Sequence, residues 1–524
     1  MKKYVLALAI IIYSTSLMAQ TEFDAVKLLQ TDISGTARYM GMAGSMGAVG
    51  GDATAIKDNP AGIGLYTRSE LMSTGKMLLQ KSNSNWYSGT GYFSHSNIGL
   101  NNFSFVLVPS SLKKQIKNKK DKKRKRGSSF SNNFSFSYNR LKDFNRSMYV
   151  GSDINANNVQ SSISVYMEDL ARNTIGFDGT GSAFGNYPWI LDLANQSGLI
   201  QKKNTNPWSS ILTPSESIKP SYYIKEKGAI DQYSLGWAGT YENFIHLGAT
   251  VNFQTINYTA VGKYTEKYEV SGTMHLNDSI NTKGTGISIN VGAIVNPTDY
   301  LRIGLSVKSP TVYALVDNSS GNMIYDKTNL SKKTPLATVN YKLQNLLQIS
   351  LSTAYLVDTR GLISAQFDYA LNSRARLLSE DGGIDYYMAE NQSMKRNISN
   401  MYTIKVGGEF NITENITARA GLAYSNSPTK SSGDISQPTS EVIGVANNKR
   451  VDTQYFLGNS TIFESIGVGY HTEKWSVDVA FTNKNLKEDF YPYNDLKLSE
   501  LNKNTAGIVK TSLNNIVVSF GYKL

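Results

Sequence analysis

The chain has 524 residues, no cysteine and a formal net charge of +12; the lack of thiols excludes a disulfide framework, a cysteine-linked lipid anchor and thiolate metal sites. The charge is local: Lys113 to Arg126, KKQIKNKKDKKRKR, holds ten basic residues and one acid, and Lys2 and Lys3 supply two more charges. A like-charge block of this kind reads as a solvated segment, with phosphate-rich lipid or another polyanion as its alternative partner, and it is no signature of nucleic-acid binding.

Met1 to Ala19 reads as a secretory signal peptide: two lysines, an apolar run from Tyr4 to Tyr13, then Leu17-Met18-Ala19. That run is too short to span a bilayer as a helix. The next segment, Gly35 to Tyr66, is GTARYMGMAGSMGAVGGDATAIKDNPAGIGLY, with eight glycines between Gly35 and Gly64. Glycine loses much entropy on ordering and recurs like this where backbone passes close to another surface. Asp52 is placed to cap a short helix through Lys57. Asn59 ends it, because Pro60 pushes the residue before it out of the α region. Residues 20–68 therefore read as a compact plug of small residues.

GTARYMGMAG followed by GDATAIKDNPAG closely resembles the N-terminal hatch of the FadL family, outer-membrane channels for long-chain fatty acids and other hydrophobic molecules. Asn59, Pro60 and Ala61 fall on that family's NPA signature, and with Gly62 they are the gating residues the resemblance implies. It also implies passive uptake with no cofactor, and a cargo exit through the wall near the third strand. That strand would run from Asn132 to Arg140 here, with Phe134, Phe136 and Tyr138 on one face; it has no glycine or proline to mark a kink.

From Ser69 onward the period is two. Leu301, Ile303, Leu305 and Val307 alternate with Arg302, Gly304, Ser306 and Lys308, and Trp475, Val477, Val479 and Phe481 alternate with polar or small residues. One apolar face and one polar face fit a barrel wall around a wet lumen. Fourteen strands are expected, near 69–80, 97–108, 131–140, 231–241, 244–258, 286–296, 299–308, 346–357, 360–370, 400–411, 414–424, 461–471, 473–484 and 511–523. Tight turns at Glu242-Asn243, Pro297-Thr298, 357–360, 412–415 and 471–475 alternate with long connections at 141–230, 259–285, 309–345, 371–399, 425–460 and 485–510. Short turns at one end and long loops at the other are the layout of an outer-membrane barrel. Parity puts the basic link 109–130 on the short-turn side, as an insertion there or as a sign that the first two strands are misplaced. The last strand alternates Ile516, Val518, Phe520, Tyr522 and Leu524. It resembles the terminal signal read by the barrel-assembly machinery, although it ends on leucine.

The connection at 141–230 is too long for a bare loop. Val165 to Asn173 and Pro188 to Ser197 are expected as short helices, with Phe184, Tyr187, Trp189, Ile190, Leu193 and Trp208 as an apolar surface. Two readings are open: a greasy landing site beside the mouth, or a small core that stiffens the loop.

No enzyme is expected. The histidines His95, His246, His275 and His471 show no metal-ligand spacing, and the chain lacks a G-x-S-x-G elbow, a P-loop and an intact G-x-G-x-x-G. Arg302, Lys308, Asp368 and Asp478 are the expected lumen charges, meeting a cargo carboxylate or, more simply, pairing with each other and with the plug. The reading is an all-β transmembrane barrel, residues 69–524, closed by a hatch and exported to the Gram-negative outer membrane for passive uptake of hydrophobic small molecules. Its partners are outer-membrane lipid and that cargo. The rivals are a non-transporting scaffold for secretion or surface partners and a barrel enzyme acting on lipid.

Overall fold

The computed structural model describes residues 22–524 apart from 88, 110–129, 152–161, 181–183, 185–186, 204–205, 214–215, 359, 431–448 and 494–505. The expected signal peptide and the basic block 113–126 therefore lie outside the described residues. Among the described residues, no helix is long and apolar enough to cross a membrane.

The wall is a closed antiparallel barrel of fourteen strands. They are β1 Glu70–Trp86, β2 Gly89–Leu107, β3 Phe130–Asp143, β4 Ile218–Tyr241, β5 Ile245–Tyr268, β6 Thr273–Val295 and β7 Leu301–Lys308. The circuit continues with β8 Gln348–Val357, β9 Gly361–Ala370, β10 Met401–Asn411, β11 Ile416–Ser425, β12 Thr461–His471, β13 Trp475–Tyr491 and β14 Gly507–Lys523. Each pairs with its successor, and β14 returns to β1 from Glu70↔Lys523 to Asn85↔Ile508. In lipid every backbone N–H and C=O must find a partner within the protein, and ring closure satisfies them without leaving a free edge.

Alternation decides which side chains meet lipid. On β14, Ile516, Val518, Phe520 and Tyr522 are exposed, while Asn515, Val517 and Ser519 are buried. The strands differ greatly in height. β8, β9 and β11 have 10 residues each, enough to cross the bilayer, whereas β4 and β5 have 24 and β6 has 23. A crossing strand needs roughly 9–11 residues, so more than half of each tall strand stands clear of the membrane on the long-loop side.

This height corrects part of the sequence reading. Much of 259–285 and 309–345, expected as loops, is strand. The alternation continues there, but its outer face is polar because it stands in water: Lys263 and Lys267 are exposed while Tyr264, Glu266 and Tyr268 are buried. The first two strands are also longer than expected, and a hairpin at Tyr87 joins them. That hairpin leaves 109–130 between Leu107 and Phe130, at the short-turn end, as parity required.

β7 is interrupted at Pro310 and resumes as Val312–Tyr325. Proline cannot donate to a ladder, and Asn345 bridges the break: its Oδ1 accepts from the Thr311 amide at 2.5 Å, and its own amide donates to the Thr311 carbonyl at 3.1 Å. The partner strand breaks at the same level, between Ala337–Gln344 and β8.

A small folded roof covers the long-loop end. It consists of helix α3 Ile163–Asn173, helix α4 Trp189–Ser197 and a hairpin of Ile200–Lys203 with Asn206–Ser210. The Ser162 hydroxyl caps α3, and the Glu266 carboxylate of β5 accepts the Ile163 amide at 2.8 Å, fixing the helix to the wall. Met167, Leu191, Leu193 and Trp208 are buried in one core with the upper wall residues Tyr264, Leu276 and Met323. The apolar surface expected at 141–230 is thus largely core, not a face offered to solvent.

Asp192 of α4 is buried among these side chains, and its Oδ2 has no hydrogen-bond partner. Burial pushes its carboxyl up to about 6 from an ordinary 3.8. A carboxyl raised on folding favours the folded state while it is protonated and loses that advantage as pH rises through 4 to 6. Asp192→Asn should therefore raise the melting temperature at pH 7 and leave it nearly unchanged at pH 4. Equal shifts at both pH values, by calorimetry in detergent, would contradict this assignment.

Candidate functional site: a chamber between hatch and roof

The residues before β1 fill the lumen. Helix α1 Glu22–Leu29 lies high in the barrel, helix α2 Ala37–Gly41 lies lower against the wall, and 3₁₀ turns at Ala55–Lys57 and Pro60–Leu65 complete the hatch. Asp52 organises the middle: its Oδ1 accepts the Thr54 amide at 2.8 Å, and its Oδ2 accepts the Thr36 hydroxyl at 2.8 Å. Asn59 is extended, at φ −140°, and caps the second turn, its Oδ1 accepting the Ala61 amide at 3.1 Å. Its Nδ2 donates to the wall carbonyl of Ala293 at 3.2 Å.

The NPA turn lies hard against β5 and β6. A Cβ at wall residue Gly292 would sit 2.0 Å from Asn59 Oδ1, and one at Gly248 would sit 2.4 Å from the Pro60 carbonyl carbon. Wall glycines therefore admit the turn. Pro60, Ala61 and Gly62 are buried; Asn133 Nδ2 takes the Ile63 carbonyl at 2.9 Å, and Thr240 Oγ1 takes that of Gly64 at 3.0 Å. On the opposite side Arg38 forks onto Glu409 at 2.8 and 3.0 Å. Glu409 also receives Arg419 at 2.6 Å, and Arg419 reaches Asp478 at 2.5 Å. Glu409 and Arg419 are cross-strand partners in the β10–β11 hairpin, while Arg38 and Asp478 reach them from distant segments and left no mark in the sequence.

Above the hatch and below the roof is a cavity of about 430 Å3. Its upper wall mixes aromatic and aliphatic side chains, Phe144, Tyr166, Ile190, Tyr222, Ile224 and Phe456, with charged ones, among them Lys27, Arg146, Glu226, Asp278, Arg450 and Glu488. Its floor is charged, with Lys57, Lys308, Lys405 and Lys484 beside Asp32, Asp58 and Asp368. The lumen is thus neither a wholly apolar pocket nor a wet pore from end to end.

The four expected lumen charges all point inward, and the structure separates their roles. Arg302 donates to the hatch carbonyl of Val49 at 2.8 Å. Asp368 meets Lys405 at 2.7 Å, and Asp478 meets Arg419. Lys308 lines the chamber and has no hydrogen bond or ion pair among the described residues. Lys57, also in the floor, lies 3.9 Å from Asp58 and over the Tyr39 ring. Three of the four are spent on wall and hatch; one faces the cavity free. His471 is 3.0 Å from Asp478 and His246 bonds Thr240, while no group of metal-ligating side chains occurs among the described residues.

Beside the chamber the wall has a seam. β2 and β3 pair only from Asn102↔Asn139 to Leu107↔Phe134, and above that level β2 pairs with β1 alone. β3 bulges after Arg140 and continues as Arg146–Gly151, still paired to β4. That continuation passes inside the β1–β2 hairpin, where Ser84 Oγ donates to the Tyr149 carbonyl at 2.7 Å. Phe134, Phe136 and Tyr138 lie on the outer face of β3, with the first two exposed below the seam. Tyr138 stands at its edge, where its hydroxyl and Arg140 both bind Asp231 at 2.9 and 3.0 Å. Sequence missed the seam because a bulge at Leu141 needs no glycine or proline. Lys142, Phe144 and Arg146, just past the bulge, line the chamber.

A ring-closed β-wall with a plug inside it is the architecture of an outer-membrane barrel, and part of the chain matches a family of such proteins. Residues 230–444 match the family described as outer membrane protein transport protein (OMPP1/FadL/TodX). A FadL homologue from Pseudomonas aeruginosa has the same fold, with a TM-score of 0.53 at 13% identity over 94% of this chain and 99% of its own. The toluene transporter TodX of P. putida aligns at a TM-score of 0.48 and 11% identity, over 94% and 99%. No curated protein matches the chain. The family match thus covers part of the chain, and the structural likeness to the P. aeruginosa protein shows the plugged-barrel fold.

Ala61→Leu should overpack the NPA turn against β5, at a cost of roughly 1–3 kcal/mol, without opening the strand ladder. Heat-modifiable migration on a gel should be unchanged while planar-bilayer conductance rises. Unchanged conductance from correctly inserted protein would mean that this contact does not seal the lumen.

Proposed function

We propose that the protein is a hatch-gated channel for passive uptake of hydrophobic small molecules, and that its cargo is an amphipathic anion such as a long-chain fatty acid. One observation carries the reading: aromatic side chains line the chamber's upper wall among charged groups that pair with one another, while the inward Lys308 of its floor has no hydrogen bond or ion pair among the described residues. An apolar body would lie against Phe144, Tyr222 and Phe456, and its carboxylate would meet the Lys308 ammonium. Charge-assisted hydrogen bonds are the strong ones in such a setting. The seam between β2 and β3 supports sideways release, because it borders the chamber and opens where the ladder has already ended. The alternating strand that ends the chain supports insertion by the barrel-assembly machinery.

Lys308→Ala tests this. Uptake of a fluorescent long-chain fatty acid should fall about tenfold, the scale of one lost charge-assisted hydrogen bond, while uptake of an uncharged aromatic hydrocarbon should hold. Equal loss for both cargoes would point to a damaged channel. Unchanged uptake of both would remove the anion subsite.

A further inference from the structure

On the three tallest strands, β4 to β6, charge is sorted by face. The acids Glu226, Glu266 and Asp278 point inward and are buried. Lys225, Lys227, Lys263 and Lys283 point outward and are exposed, and Lys219 and Lys267 follow on the same face further up. The four lower lysines are neighbours across the ladder. Lys225 pairs with Val261, two positions from Lys263; Lys227 pairs with Thr259, and Lys283 pairs with Asn257 on the same stretch of β5. None of them has an ion pair among the described residues. The one outward acid on these strands, Asp231, is already held by Arg140 at 3.0 Å.

Their height matters as much as their sign. Below them the same faces are apolar and exposed: Tyr233, Leu235 and Trp237 on β4, Val251 and Phe253 on β5, and Ile287, Ile289 and Val291 on β6. Lys283, level with Asn257, is therefore the first unneutralised charge above the lipid-facing band, at the level of the outer-leaflet head groups, and Lys227, Lys225 and Lys263 follow above it in steps of two residues along β5. Solvation alone would be served by either sign, and a soluble sheet face normally mixes them. A patch of one sign at a membrane interface attracts lipid of the other sign.

We propose that the outer face of β4 to β6 is a seat for the phosphorylated head groups of outer-leaflet glycolipid, held by Lys225, Lys227, Lys263 and Lys283. This rests on the outer-membrane location and the wall geometry, not on any cargo. Bound head groups would anchor the tall side of the barrel upright in the leaflet, beside the seam.

The test uses the full-length protein in phosphatidylcholine nanodiscs doped with lipid A or with its dephosphorylated form, reading protein-bound lipid by native mass spectrometry. Wild type should retain phosphorylated lipid A at least fivefold above its share of the bilayer. The quadruple variant K225Q/K227Q/K263Q/K283Q should return to the bulk share. A control of equal charge change on exposed lysines elsewhere, K202Q/K327Q/K333Q/K395Q, should stay enriched. All variants are first checked for heat-modifiable migration. Enrichment that survives in the first variant, that falls equally in the control, or that is as strong for the dephosphorylated lipid would overturn the proposal.

Discussion

Because lipid offers no hydrogen bonds, the wall of this protein has to be a ladder closed on itself, and most of the remaining structure follows from that closure. Fourteen strands enclose a bore too wide for wall side chains to fill, so a separate segment must fill it. That segment carries its own polar backbone into the lumen and needs partners there. The wall supplies them residue by residue: Asn133 and Thr240 for carbonyls of the Pro60–Leu65 turn, Ser519 for the Ala37 amide, Gln366 for that of Gly47. It also supplies room, with Gly248 and Gly292 lying where any Cβ would strike the NPA turn.

The hatch is held differently on its two sides. Against β10, β11 and β13 it is fastened by the half-buried Arg38 and Glu409 with the buried Arg419 and Asp478. Removing one member of such a group strands an uncompensated charge at a cost of about 3–5 kcal/mol. Its N-terminal helix is fastened near the roof, where Lys27 meets Glu226 at 2.7 Å and Asp24 meets Arg450. The chamber lies between these attachments. A cargo anion at Lys308 would add a charge to a floor whose aspartates are matched by Lys405 and Lys484, so it would be neutralised without disturbing them.

Much of this was legible in the sequence, for identifiable reasons. The NPA turn shows because Asn, Pro and small residues each answer a local backbone demand. The membrane half of the barrel shows because lipid enforces a strict period of two, and the tight turns at one end set strand direction. The tall halves of β4 to β6 were hidden because water, unlike lipid, tolerates polar residues on the outer face, so Lys263 and Thr265 looked like loop. The break at Pro310 was legible as a stop but not as a pause, since the Asn345 side chain that bridges it is remote in sequence. The ion group around Arg38 and the seam above Asn102 left no local mark. Both arise from distant segments meeting, or from a bulge that any residue type can form.

The proposed cargo is an amphipathic anion lying in the space between hatch and roof. Anomalous diffraction from crystals soaked with a terminally brominated long-chain fatty acid would locate it. A bromine peak is expected beside Phe144, Tyr222 and Phe456, with the carboxylate density ending at Lys308 Nζ. A chamber without bromine at saturating ligand, with the peaks confined to the outer lipid-facing band, would contradict it.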